Sequence, residues 1–132
     1  MVGATRRPVL TAIKTKRAYE APARGDGTRV LVDRLWPRGL AKEAAAVDRW
    51  MHELAPSTAL RKWFGHDPAR WDEFRRRYAA ELADRKAELG TLRALSRSGT
   101  VTLLYGARDE RHNNAVALRD ILLSGSVANP PD

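Results

Sequence analysis

Val30-Leu31-Val32-Asp33-Arg34-Leu35-Trp36-Pro37-Arg38-Gly39-Leu40 is the stretch on which the reading of the chain turns. Three branched apolar residues run directly into an acid, two arginines, a Trp-Pro step and a glycine. A continuous apolar triplet that ends in charge is the pattern of a buried parallel strand leaving its sheet. In open α/β sheets the ligand crevice lies beyond the carboxyl ends of the strands. Asp33, Arg34 and Arg38 therefore stand where such a fold does its chemistry.

Upstream, Val9-Leu10-Thr11-Ala12-Ile13 is predicted as a first strand leading to Lys14, Lys16 and Arg17. Tyr19 to Thr28 reads as a loop with a Gly25-Asp26-Gly27 turn signal, and Arg29–Val32 as the second strand. Downstream, Pro37 and Gly39 force a turn. Lys42 to Ala46 has the look of a helical turn, but Val47-Asp48-Arg49-Trp50-Met51 fits a short strand as well as a helix. Ser57 is placed to cap a short helix that Gly65 closes, and Asp67-Pro68 to start another. Trp71, Phe74, Tyr78 and Leu82 step by three, four and four, an apolar stripe that faces a core. Leu89, Leu92 and Leu95 continue helically to Ser98-Gly99, with Gly90 a potential break. Thr100 to Tyr105 is the clearest strand, Gly106 to His112 a polar loop, and Asn113 or Asn114 to Leu123 a last helix ending at Gly125. The recurring order of strand, loop and helix predicts an α/β fold. It is a small, mostly parallel sheet of three or four strands flanked by helices in a Rossmann-like three-layer arrangement.

At 132 residues, 43% hydrophobic and 30% charged, the chain is expected to form one globular domain over 1–132, with 1–8 and 125–132 as loose termini. It has no cysteine, which excludes a disulfide framework, a thiolate nucleophile and a cysteine zinc site. No apolar run reaches bilayer length and no signal segment is evident, so a cytoplasmic protein without a membrane partner is expected. The formal charge is +8. Residues 1–38 carry nine Lys/Arg against Glu20, Asp26 and Asp33, a local +6. That imbalance points to an anionic small molecule or nucleic acid as partner. Nineteen of the 24 basic residues are arginine, which a GC-rich genome would also produce.

Two strand ends carry polar clusters, Asp33-Arg34 with Arg38 and Tyr105 to Asn114. If the two strands are parallel neighbours, the clusters share one crevice. Arg34 and Arg38 are candidates to grip a phosphate or carboxylate, and Asp33 to act as general base or hydroxyl acceptor. Lys16, Arg17, Arg108, Asn113 and Asn114 are further ligand-binding candidates, the last two at a helix start that favours anions. His112 is the preferred histidine for catalysis, and Tyr105 belongs to the opposing wall. Trp36 either stacks on a ligand ring or plugs the crevice wall. Neither a dinucleotide fingerprint nor a P-loop is present. His52, His66 and His112 show no metal-ligand spacing, so no metal and no cofactor are expected.

Several pieces together carry a resemblance. They are Lys16-Arg17-x-Tyr19, the Asp33-Arg34-Leu35-Trp36-Pro37-Arg38-Gly39 run, Ala55-Pro56-Ser57 and Leu60-Arg61-Lys62-Trp63-Phe64. Phe74 through Tyr78 to Glu81-Leu82, Leu103-Leu104-Tyr105 and Asn113-x-Ala115 complete the set. The chain resembles the YeaO-like branch of the domain-of-unknown-function-488 family from about Ile13 to Leu123. The wider family has no settled activity. The resemblance implies an Asp-x-Arg-type motif after one strand and a Leu-Leu-Cys-x-Glu…Cys-His-Arg-type motif after the last. Tyr105 stands where that pattern has Cys, and Asn113-Asn114 where it ends in His-Arg. An activity needing the thiol or that pair is therefore not implied for this chain. Three classes stay open. One is an enzyme acting on an anionic, phosphorylated or nucleotide-like substrate. Another is a non-catalytic nucleic-acid or nucleotide binding module. The third is a regulatory or structural protein with a vestigial site.

Overall fold

The computed structural model describes residues 13–124. The expected strand residues Val9 to Ala12 and both expected loose termini lie outside them. Four strands, β1 (Ile13–Arg17), β2 (Thr28–Leu31), β3 (Arg49–Trp50) and β4 (Val101–Tyr105), form one sheet in the order β1-β4-β2-β3. Every pairing is parallel. Among the described residues five α-helices accompany it: α1 (Lys42–Ala45), α2 (Thr58–Phe64), α3 (Trp71–Leu82), α4 (Lys86–Ser98) and α5 (Asn114–Ser124). Within the described residues the first strand runs from Ile13 to Arg17, so Lys16 and Arg17 lie within it rather than beyond it.

Central β4 is buried along its whole length, which is why its five residues read as an unbroken apolar run with one threonine. Val30 and Val32 with Val101, Leu103 and Tyr105 face the main core, which α2, α3, α4 and α5 close with Leu60, Phe64, Phe74, Tyr78, Leu89, Leu92 and Leu118. Phe64, Phe74 and Tyr78 stack in series, at ring separations of 4.4 and 5.6 Å. Gly90 does not break α4, which runs on from Lys86 to Ser98 with Leu89 and Leu92 buried on either side of it.

The opposite sheet face is covered more thinly. Leu31 and Leu104 pack there with Ala18, Trp36, Leu40 and Val47. Beside them sits a polar knot. Asp26 takes Lys16 at 3.0 Å and the buried Arg29 at 2.6 Å, and Arg29 also donates to the Ala45 carbonyl at the end of α1. The ambiguous segment 47–51 resolves as the strand: the expected helical turn α1 ends as Ala46 turns left-handed, and Asp48 accepts the Arg29 N–H as β3 begins.

Register fixes the site. Leu31 lies opposite Leu104, and the Val32 N–H donates to the Leu104 carbonyl. The chain therefore leaves β2 at Asp33 directly beside the point where β4 ends at Gly106.

Candidate functional site

Asp33 is the junction of the two strand ends. Its Oδ2 accepts the Gly106 N–H at 2.8 Å and its Oδ1 accepts the Asn114 amide at 3.1 Å, while Asn114 also donates to the Val32 carbonyl. A Cβ on residue 106 would lie 3.1 Å from Asp33 Oδ2, so the close approach of loop and carboxylate is built on the missing side chain. Burial pushes the Asp33 carboxyl above the ordinary aspartate range, against the pull of the Gly106 N–H, the Asn114 amide and the Arg61 charge.

Around this junction opens a cleft of about 220 Å³ lined by thirteen residues. Its floor is buried: Phe64, Phe74 and Asn113 are almost fully shielded from solvent. Its rim is exposed and carries Arg34, Leu35, Arg61 and His66, with Ala55 and Pro56 along one wall and Ala107, His112 and Asn114 along the other. Asn113 caps α5 by accepting the Val116 N–H at 2.9 Å, and its amide donates to the Asp109 carbonyl. His112 Nδ1 sits 3.0 Å from Asp109 Oδ2, with its ring edge-on to Trp71 at 5.3 Å. Only the other ring nitrogen is left for a ligand.

The structure brings Asp33, Arg34, His112, Asn113 and Asn114 to one cleft and separates the other candidates from it. Arg34 is not free to clamp an anion with all its donors. Its Nε and Nη2 donate to the Ala55 and Pro56 carbonyls at 3.3–3.4 Å and tie the start of α2 to the β2 tip. Arg38 does not line the cleft; it is exposed, and its carbonyl accepts the Tyr19 hydroxyl. Trp36 is a plug on the opposite sheet face, its indole N–H donating to the Leu40 carbonyl at 2.7 Å. Lys16 is spent on Asp26, and Arg17 holds the Ala107 carbonyl at 2.9 Å. Tyr105 is buried in the core, which raises its hydroxyl. Arg108 is exposed on the loop. Sequence reasoning missed Arg61, His66, Phe64 and Phe74 as cleft residues. Arg61 and Phe64 stand within one of the resemblance motifs, while His66 is marked by its left-handed backbone at φ 58°, a feature that no sequence pattern displays.

Among the described residues no group of three or more metal-ligating side chains could hold a metal ion. No described helix is long and apolar enough to cross a membrane.

The family model described as the inactive DUF488-N3 subclade matches residues 12–129. The uncharacterized protein YeaO of Escherichia coli (strain K12) is 43% identical over 112 residues, 85% of this chain and 97% of the relative. The uncharacterized proteins Mb3100c of Mycobacterium bovis and Rv3073c of Mycobacterium tuberculosis are each 41% identical, over 85% of this chain and 94% of theirs. No solved structure matches significantly.

Proposed function

The chain belongs to the inactive DUF488-N3 subclade, and from that premise we propose that it binds a small anionic ligand, phosphorylated or nucleotide-like, and holds it without turnover. The ligand sits in the cleft at the strand ends, and the setting is the cytoplasm. One observation carries the reading: an exposed rim cation, Arg61, stands over an enclosed aromatic floor beside the start of α5. A rim guanidinium binds phosphate or carboxylate strongly, and the floor rewards an apolar body behind it. The reading without turnover is supported by the subclade's description as inactive, by the lack of a cysteine thiol, and by Ser57, whose Oγ caps α2 and is held by Glu81 at 2.6 Å. A nucleic-acid interface has less support, because Arg17, Arg29 and Arg34 are committed to internal acceptors and Arg76 and Arg77 to Glu73.

The test is titration of isotope-labelled protein with phenyl phosphate and with inorganic phosphate. Phenyl phosphate is expected to shift the amide signals of Arg61, His112 and Asn114, more tightly than phosphate alone. Arg61→Ala is expected to weaken it about tenfold, the loss of one charge-assisted hydrogen-bond pair. Shifts confined to residues outside the cleft, or none at millimolar ligand, would sink the reading.

A further inference from the structure

The cleft contains an acid that its own protein leaves short of partners. A carboxylate offers about four acceptor positions; Asp33 uses one on the Gly106 N–H and one on the Asn114 amide. No Asp33 ion pair exists among the described residues. The neighbouring guanidinium of Arg34 turns away to the Ala55 and Pro56 carbonyls, and Arg61 reaches Asp33 only through its field. Such a desolvated, unpaired carboxylate is costly by itself and gains most from a donor that enters the cleft. Asn114 cannot serve as that extra donor, since its amide is already shared between Val32 and Asp33.

Building on the proposed anion site, we infer that the ligand is amphoteric. It carries an ammonium or N–H group toward Asp33 and a carboxylate or phosphate toward Arg61, with an apolar body over Phe64 and Phe74. The lining matches these three parts. Asp33 supplies the negative group, Arg61 on the rim the positive one, and Leu35, Phe64, Phe74 and Ala107 the apolar lining. Around Asp33 the charged and titratable groups are Arg34 on its own segment, Arg61 and His66 from α2 and its exit, Tyr78 from α3, and His112 before α5. None of them places a hydrogen on the open acceptor positions of Asp33. A simple anion would meet Arg61 but face the Asp33 charge, whereas an amino-bearing anion satisfies both.

Matched pairs test this by calorimetry at pH 7.5 on the full chain: phenylalanine against 3-phenylpropanoate, and 2-aminoethyl phosphate against ethyl phosphate, with phenyl phosphate as reference. In a pair that binds, the amino member is expected to bind at least tenfold tighter, and Asp33→Asn to bring that ratio close to one. Equal or weaker binding of the amino members overturns the inference, as does binding of phenyl phosphate with neither pair. In both of those cases the anion site itself survives. Failure of all five probes overturns the anion reading and the inference with it. The wild-type ratio decides the matter even if Asp33→Asn does not fold.

Discussion

Asp33 pays for its position in the folded state, and pH exposes that cost. Its carboxyl is raised by burial, so over the acid range the folded protein binds more protons there than the unfolded chain does. The stability this contributes is full below the ordinary aspartate range and is lost as pH rises through the folded-state value. Asp33→Asn removes the titration. The stability of wild type relative to that variant is therefore expected to fall as pH rises toward neutrality, measured by urea unfolding of both proteins across the acid range. Two glycines at the same scale separate conformational strain from collision. Gly27 has φ 63°, and a Cβ there would overlap the Thr100 carbonyl; Gly39 has φ 74° with open space around it. Gly39→Ala is expected to cost about 1 kcal/mol, the left-handed penalty alone. Gly27→Ala is expected to cost more than about 3 kcal/mol, because the backbone of β2 must move away from β4. Equal unfolding midpoints for the two variants would contradict this.

Among the elements, α2 shows how the cleft wall is kept in place. Ser57 Oγ accepts the Leu60 N–H at 3.1 Å, and both Ser57 N–H and Oγ–H donate to Glu81 of α3 at 2.8 and 2.6 Å. Immediately before it, the Ala55 and Pro56 carbonyls hold Arg34. Ser57→Ala is expected to cost about 1–2 kcal/mol, and a double-mutant cycle with Glu81→Ala to be non-additive by at least about 0.5 kcal/mol. Ser57 as cap, the stripe of Phe74, Tyr78 and Leu82, and the start of α5 were all legible in the sequence, because capping and periodicity are local signals. β3 was legible only as one of two alternatives for residues 47–51, because two residues carry no period and their pairing depends on β2. The split within the candidate site follows the same division. Asp33, Asn113 and Asn114 could be found because strand ends and helix starts are marked along the chain. Arg38 and Trp36 were misplaced because Pro37 turns the chain, and which sheet face each side chain then meets is decided by Ala18, Leu31 and Leu104 rather than by its neighbours in sequence. Arg61 and His66 come to the cleft only through packing of α2 against α3.

At the scale of the whole molecule, charge that looks like a binding signal is partly fold. The local excess of +6 over residues 1–38 suggested an anionic partner, yet Lys16 and Arg29 neutralise Asp26 beneath the thin layer of the sheet, and Arg17 and Arg34 hold carbonyls. Asp26 is the keystone of that layer. Burial alone would raise its carboxyl, but the Ala23 N–H, Lys16 and Arg29 outweigh burial and hold it at about 2. A depressed acid contributes stability above its unfolded value, and that stability is lost as pH falls through the folded one. The unfolding free energy is therefore expected to drop by about 2 kcal/mol between roughly pH 4 and pH 2 on account of this group. Asp26→Asn should show no such step, and it should be less stable at neutral pH by about 3 kcal/mol, because Arg29, only 3% exposed, is left without its counter-charge. If the variant keeps the wild-type acid step, the step belongs to other carboxylates. A near wild-type stability at neutral pH would instead mean that the Ala45 and Ala46 carbonyls suffice for Arg29. In that case the layer is held by hydrogen bonds, with little contribution from charge.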